Sequence, residues 1–189
     1  TSLLDKAPLT WRLMRLLPEL IDQPHFEPLQ RFLTHDTDLR KRYQLAERLA
    51  DLFDQYQVYR ADWLEDWAAG RHQLRNGRGD AKPLNPANCW QAELWRALLL
   101  DVGEEGMAES RAGVHQRFIE RINALDKAPP GLPSRVIVFG ISSLPAQALE
   151  ALAGLARFSQ VLLCVHNPCR HHWSDIVADK DLLRNEYKR

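Results

Sequence analysis

A short proline-rich segment divides this sequence into two parts with different hydrophobic patterns. Residues 129–133 read PPGLP, and three prolines in five residues cannot continue a helix. Before this segment apolar residues recur at helical spacing, whereas after it two uninterrupted apolar runs appear, at residues 136–139 (VIVF) and 161–165 (VLLCV). A helical pattern at residues 145–155 separates the runs, so the second part predicts a βαβ unit with parallel, buried strands.

The two patterns predict the fold class and the domain organisation. We expect an α/β protein that is mainly helical, with a helical subdomain at residues 1–128 and part of an α/β core at residues 129–189. The sequence opens without an initiator methionine and ends within a helical pattern, so we expect a segment of a longer chain.

Within the first part, capping residues and prolines suggest where helices begin and end. Thr10 is a candidate N-cap for a helix in which Trp11, Met14 and Leu17 share one face, and Pro18 is expected to break or restart it. Further helices are predicted at residues 28–33, 38–59, 63–67, 90–102 and 108–125. Residues 69–86 are polar and contain three glycines, which predicts a loop.

The long helix at residues 38–59, for which Thr37 is a candidate cap, carries two faces of opposite character. Its predicted buried face comprises Leu39, Tyr43, Ala46, Ala50 and Phe53. Its polar stripe comprises Arg40, Gln44, Glu47, Asp51 and Asp54. This stripe has two interpretations: a solvated helix face, or a surface whose carboxylates accept hydrogen bonds from the N–H groups of unstacked DNA bases. The six tryptophans are expected mainly in the core, although an exposed one could stack on a base.

Charge balance and missing motifs exclude several classes of function. Lys plus Arg and Asp plus Glu both number 25, so any contact with nucleic acid must be local. The longest apolar run is too short to span a membrane and no signal peptide opens the sequence, so we expect a cytoplasmic chain without membrane contact.

The Walker A, GxGxxG, HExxH and GxSxG motifs are absent, and the first predicted strand leads into Gly140 and Ile141 rather than a carboxylate. We therefore expect no catalytic residue and no cofactor.

A group of cysteines and histidines around the second apolar run resembles a metal site in composition but not in spacing. Its members are Cys164, His166, Cys169, His171 and His172. Thiolates and imidazoles bind zinc, but the spacing C-x-H-x-x-C-x-H-H is not that of a zinc finger or ribbon, and no second ligand cluster accompanies it. We expect no metal here, with Cys164 in the core of a strand and the histidine pair on a loop.

Five segments of the sequence together resemble the RecC family, the gamma subunits of bacterial exodeoxyribonuclease V. They read PLTWRLMRLLPELI, ADLFDQYQVYRADWL, HQRFIERI, PPGLPSRVIVFGISSLP and HNPCRHHWSDI, and the resemblance extends from Pro8 to Ile176. It implies a fragment of the N-terminal half of a larger subunit, whose fold is that of a superfamily 1 helicase with degenerate ATPase motifs. Residues 1–128 would be the helical insertion subdomain (1B-like), and residues 129–189 a truncated part of the first RecA-like, P-loop NTPase-like domain (1A-like).

The same resemblance implies partners and site residues. In the family this subunit joins RecB and RecD in the RecBCD helicase and nuclease, guides the 3′-ended single strand and recognises the recombination hotspot Chi. Family residues that read the hotspot match Asp51, Leu52, Asp54, Arg60 and Arg111 of this sequence.

Two other functions remain open at this point. The chain could be a fragment of an active ATP-dependent helicase-nuclease whose catalytic motifs lie elsewhere. It could also be a helical scaffold whose polar stripe contacts partner subunits.

Overall fold

The protein is a helical bundle followed by a small parallel sheet. Its computed structural model describes residues 2–34, 39–77, 79–141 and 143–165. The helices are α1 (Lys6–Leu20), α2 (Glu27–Leu33), α3 (Arg40–Tyr59), α4 (Ala61–Ala68), α5 (Cys89–Ala108), α6 (Arg111–Asn123) and α7 (Ala146–Leu155). The strands are β1 (Gln73–Arg75), β2 (Ala81–Pro83), β3 (Arg135–Phe139) and β4 (Gln160–Cys164), and single 3-10 turns cover Pro24–Phe26 and Pro86–Asn88. The expectation of a mainly helical chain with a small β component is confirmed.

The core of the bundle forms where α1 packs along α3. Leucines at positions 9, 13 and 17 of α1 are fully buried, as are Ala46, Ala50 and Phe53 of α3. The two alanines let the helix backbones approach closely, and Leu94 and Leu98 of α5 with Trp67 of α4 complete the core. The predicted buried positions Ala46, Ala50 and Phe53 are thus confirmed, whereas Leu39 and Tyr43 are exposed.

Helix α1 begins earlier and ends later than the sequence pattern predicted. Thr10 is not an N-cap: it lies inside the helix, where its hydroxyl donates to the Lys6 carbonyl at 2.9 Å. Pro18 does not break the helix either, because burial of Leu16 and Leu17 favours a continuous helix as far as Leu20.

The predicted face of α1 is buried in part: Leu17 is fully buried and Met14 packs against the core, whereas Trp11 does not. The leucines occupy the face that packs on α3, and Trp11 is left 66% exposed on the flank of the helix. The proposed cap of α3, Thr37, lies outside the described residues.

The segment predicted as a loop contains a β-hairpin. Strands β1 and β2 pair antiparallel, with Gln73 opposite Pro83 and Arg75 opposite Ala81. Leu74 of β1 packs against the core, and polar contacts hold the hairpin further, because the side chains of Arg71, Gln73 and Arg75 all hydrogen-bond to the buried carboxylate of Asp66 on α4. A hydrophobicity pattern therefore cannot reveal it.

The turn from α5 into α6 depends on two glycines. Gly103 adopts a left-handed conformation (φ 69°) that interrupts α5 one residue after the predicted end at Val102. Ser110 caps α6 by accepting a hydrogen bond from the Gly113 backbone at 3.1 Å. A Cβ atom at Gly113 would lie 2.5 Å from the carbonyl oxygens of Met107 and Ala108, so only glycine permits this close approach.

The second part of the chain forms the predicted βαβ unit, with β3 and β4 paired in parallel from Arg135 opposite Gln160 to Phe139 opposite Cys164. The prediction of buried strands was wrong, because β3 and β4 form a two-stranded sheet whose apolar residues are largely exposed in the described part of the chain; Phe139 is 83% exposed. Cys164, predicted in a strand core, is exposed as well.

The βαβ unit is attached to the bundle through α6. His115 on α6 lies 2.8 Å from Glu150 on α7, and Gly154 of α7 packs against Ile122. Arg157, just after α7, donates to the carbonyl oxygens of Ile122 and Leu125 at 2.9 and 3.1 Å and so holds the C-terminal end of α6.

Candidate nucleic-acid interface

The predicted site residues Asp51, Leu52 and Asp54 lie on the side of α3 that faces away from the core. Phe53 between them is fully buried in the core, so the helix presents its neighbours toward the surface. Glu47, Asp51 and Asp54 follow one another at spacings of four and three residues and form what we call the acidic stripe. The arrangement follows from the helical period that the sequence already showed.

Asp51 is paired with a lysine from α1. Its Oδ1 accepts from Lys6 Nζ at 2.7 Å, and its Oδ2 accepts from Gln55 Nε2 at 3.1 Å. The Lys6 hydrogen bond lowers the pKa of Asp51, and the same bond raises the pKa of Lys6. Both side chains are about half exposed, at 50% for Lys6 and 49% for Asp51, so water and incoming ligands reach the pair.

A shallow groove of about 400 Å³ runs beside this pair. It is lined by Lys6, Glu47, Arg48, Asp51, Leu52 and Gln55. The groove therefore offers cationic donors, carboxylate acceptors and an amide that does both, together with one apolar side chain. Such a mixture can hydrogen-bond the edge of a nucleotide base while an apolar contact covers its face.

Arg111 brings α6 to the acidic stripe. Its Nη2 lies 2.8 Å from Asp54 Oδ1 and 3.6 Å from Asp5 Oδ1 at the start of α1. Asp54 Oδ1 is shielded from solvent and forms no hydrogen bond of good geometry with the described residues, so the pair is held by charge attraction. Arg111 is the first residue of α6, and its position is fixed by the Ser110 cap and by the close approach at Gly113.

Arg111 also borders a second groove, of about 640 Å³, on the other side of the Asp54 pair. Its walls include Asp5, Val114, His115 and Phe118. Of the five predicted site residues, Asp51 and Leu52 thus line the first groove, Arg111 lines the second, and Asp54 is joined to Arg111 by an ion pair.

Arg60, the fifth predicted site residue, is engaged elsewhere. At the junction of α3 and α4 its guanidinium hydrogen-bonds Asp62 at 2.8 and 3.1 Å and the Arg75 carbonyl of the hairpin. It also lies over the Trp63 ring at 3.7 Å. In this arrangement Arg60 holds the hairpin against α4, and a role of Arg60 in reading bases stays a prediction.

Sequence reasoning missed Lys6 and Asp5, because it placed the start of α1 at Thr10. The signal that could have found them is the leucine spacing at positions 9, 13, 16 and 17, which requires a helix that begins before Leu9.

The cysteine and histidine group can be judged only in part. Cys164 ends β4, while His166, Cys169, His171 and His172 lie outside the described residues. Within residues 2–34, 39–77, 79–141 and 143–165, no three histidine, cysteine or acidic side chains are grouped so as to hold a metal ion. Within the same ranges no helix has the length and apolar character needed to cross a membrane.

Comparison with known proteins places the chain in a family. The model of the RecC N-terminal domain matches residues 1–189. The RecBCD enzyme subunit RecC of Escherichia coli K12 is 44% identical over 176 residues, which cover 93% of this chain and 15% of that protein. The corresponding subunit of Haemophilus influenzae is 38% identical over 198 residues, covering 98% and 17%, and that of Mycolicibacterium smegmatis is 29% identical over 182 residues, covering 93% and 15%.

The chain thus spans about a sixth of the length of these curated relatives. The similarity extends over nearly all of its residues and includes the helix that carries the acidic stripe. The chain therefore belongs to the RecC family and matches the model of its N-terminal domain.

Proposed function

We propose that this chain is part of a non-catalytic DNA-recognition subunit, which guides and reads a single strand within a complex with RecB and RecD. The strand is the 3′-ended one produced when a broken duplex is unwound in the bacterial cytoplasm, and the sequence read is the recombination hotspot Chi. The observation that carries the proposal is that Asp51 and Leu52 line one groove, while Asp54, one turn further along α3, is paired with Arg111 at the edge of a second groove. The relatives' name, RecBCD enzyme subunit RecC, supports the choice of partners.

The chemistry of this surface suits guanine. The Watson–Crick edge of guanine carries adjacent N–H donors, and a carboxylate can accept two such donors at once. Asp51 and Asp54 are each paired with a flexible cation that is partly exposed, Lys6 and Arg111 respectively. A guanine can therefore compete for the carboxylate while the displaced cation turns to a phosphate or to the base carbonyl.

A strand that slides through the complex should not be held tightly by its phosphates. The balanced charge of 25 basic and 25 acidic residues fits this requirement, because phosphate neutralisation dominates non-specific affinity. Specificity would then come from base edges and apolar contacts rather than from overall charge.

The absence of catalysis is proposed from the end of β3. Active P-loop ATPases place carboxylates after such a strand to manage Mg²⁺ and the attacking water, whereas here Phe139 is followed by Gly140 and Ile141. We accordingly take residues 129–189 as part of a degenerate RecA-like helicase domain and residues 1–128 as its helical insertion. The gap between the end of α6 at Asn123 and the start of β3 at Arg135 supports that division.

The test uses the full-length subunit assembled with RecB and RecD. We expect Asp54→Ala to leave unwinding of a duplex normal and to abolish the product that depends on the hotspot, because the substitution removes a reading carboxylate from a partly exposed position. Asp22→Ala, an exposed aspartate bonded to Gln30 away from the acidic stripe, is the matched control and should leave both activities intact.

Three other results would overturn the proposal. Unchanged hotspot response in Asp54→Ala would make Asp54 an ordinary solvated residue. Failure of the variant to assemble, with normal assembly of Asp22→Ala, would favour the scaffold alternative, for which the ion pairs of the acidic stripe with α1 and α6 also provide a rationale. ATP hydrolysis by the isolated full-length subunit would instead favour the helicase-nuclease alternative.

A further inference from the structure

Trp11 is exposed, although most tryptophans of this chain lie in the hydrophobic core or pack against it. Trp67 and Trp95 are buried, and Trp63 and Trp90 are partly buried against the same cluster. Trp11 by contrast is 66% exposed, and its ring lies 6.0 Å from that of Tyr43, which is 40% exposed. Two large aromatic rings thus form a pair on the surface, where burial cannot account for them.

The aromatic pair lies in line with the acidic stripe. Helices α1 and α3 run antiparallel, so that Lys6 meets Asp51 and Trp11 meets Tyr43. Tyr43, Glu47 and Asp51 recur every four residues and therefore occupy one flank of α3. From Tyr43 to Asp54 the helix advances about 16 Å, which matches about four or five nucleotides of a B-form strand and fewer of a stretched one.

The order of chemical groups along this line is that of a single-strand binding surface. Aromatic side chains come first, then Asp51 paired with Lys6, then Asp54 paired with Arg111. Proteins hold unpaired strands by stacking bases on aromatic rings and by charged groups that follow the backbone. Stacking accepts any base, whereas the carboxylates select N–H donors, so the two elements supply affinity and specificity separately.

We propose that Trp11 and Tyr43 form a platform on which a base of the bound single strand stacks, next to the nucleotides that the acidic stripe reads. The inference rests on the proposed function in that it takes the strand to lie along α3. It adds two residues to the surface that neither the sequence motifs nor the comparisons assign.

The test uses the full-length subunit in the complex with RecB and RecD, bound to a 3′-ended strand that carries 5-bromodeoxyuridine. Irradiation should cross-link the strand to Trp11 or Tyr43, as mapped by mass spectrometry of the peptides. We expect Trp11→Ala to lower the hotspot response about fivefold or more, as loss of one stacked base predicts, and Trp11→Phe to retain most of it. Phe32→Ala, which removes an exposed aromatic ring on α2, is the matched control and should have no effect.

Measuring the hotspot response of Asp54→Ala in the same assay distinguishes failure of the stacking platform from failure of the proposed reading function. If Asp54→Ala loses the hotspot response while Trp11→Ala keeps it and no cross-link forms at either ring, the platform is wrong and the reading role stands. If Trp11→Ala and Tyr43→Ala fail to assemble with RecB and RecD, the pair is a protein contact and the platform is wrong. If Asp54→Ala keeps the response, the reading role fails, and a cross-link at Trp11 or Tyr43 alone decides whether the strand stacks there.

Discussion

Asp66 and the aspartates of the acidic stripe differ in how many partners hold them and in how much solvent reaches them. The Asp66 side chain is 2% exposed and accepts hydrogen bonds from Arg71, Gln73 and Arg75 at 2.7 to 3.0 Å. Asp51, about half exposed, has Lys6 and Gln55, and Asp54 has Arg111 with a more distant interaction between Arg111 and Asp5. A carboxylate whose acceptor sites are filled from within the chain is structural, whereas one with a single mobile cation can exchange it for a ligand.

The largest effect should come from Asp66→Ala. The substitution leaves the guanidinium groups of Arg71 and Arg75 without their buried partner and frees the hairpin from α4, so we expect the free energy of unfolding to fall by about 3 kcal/mol. Chemical denaturation followed by tryptophan fluorescence measures this, since Trp63 and Trp67 both donate to hairpin carbonyls. A loss no greater than that of Asp22→Ala would remove the distinction between the two kinds of aspartate.

Lowering the pH should remove part of the stabilisation that Asp66 provides. Hydrogen bonds from Arg75, Gln73 and Arg71 outweigh burial and hold the pKa of Asp66 well below its ordinary value of 3.8. A carboxyl whose pKa is depressed in the folded state stabilises the fold at pH values above its unfolded pKa, and this contribution is lost as pH falls toward the folded pKa. The difference in unfolding free energy between the native chain and Asp66→Asn should therefore be constant near pH 7 and shrink below about pH 4; a difference that grows on acidification would contradict the assignment.

Gly113→Ala should lower the stability by an intermediate amount and should disturb the contact between α6 and the acidic stripe. The added Cβ would collide with the carbonyl oxygens of Met107 and Ala108, which we expect to cost about 1–3 kcal/mol and to move Arg111 away from Asp54. Gly77→Ala, at a position with open space around it, is the control for a glycine substitution. Equal stability of the two variants would show that the start of α6 can shift without strain.

Asp54→Asn should change stability little. The Arg111 pair is partly exposed on both sides, and pairs of this kind contribute about 1 kcal/mol or less. The free energy of unfolding should stay close to that of the native chain while the hotspot response of the assembled complex falls. A loss comparable to that of Asp66→Ala would instead make Asp54 a structural residue.

The smallest effect should come from Asp51→Asn, whose partner Lys6 is exposed and free to reorient in water. We expect no measurable shift in the denaturation midpoint at low or at high salt. A salt-dependent loss of stability would show that the Lys6 pair holds α1 against α3, and would weaken the contrast with Asp66.

The parts that the sequence predicted are those governed by a repeated pattern. The 3.6-residue period of α3 placed Ala46, Ala50 and Phe53 inside and the acidic stripe outside, and the apolar runs at 136–139 and 161–165 gave the parallel pair of strands. The hairpin was not predicted from the sequence because many of its stabilising hydrogen bonds converge on one buried carboxylate, that of Asp66, whose polar partners lie five to nine residues away. Trp11 was misplaced because four leucines of α1 compete for the buried face.

From the residue pattern alone, the candidate site was predictable only as far as it lies on one helix, and Arg111 on α6 came from the resemblance. Asp51 and Asp54 share a face by spacing alone, whereas their partners come from α1 and α6 and are 45 and 57 positions away in the sequence. Such pairings depend on how helices pack, which the local pattern does not contain.

Side-chain contacts hold helix α6 at both of its ends, so the helix connects the βαβ unit to α3. At its N-terminus Arg111 is attached to Asp54, and at its C-terminus the carbonyl of Ile122 is held by Arg157 of the βαβ unit. A helix of 13 residues is a strut about 20 Å long that resists compression along its axis. Because the Arg111 end of this connection is an exchangeable ion pair, a ligand that displaces Arg111 from Asp54 would disconnect the small sheet from the acidic stripe.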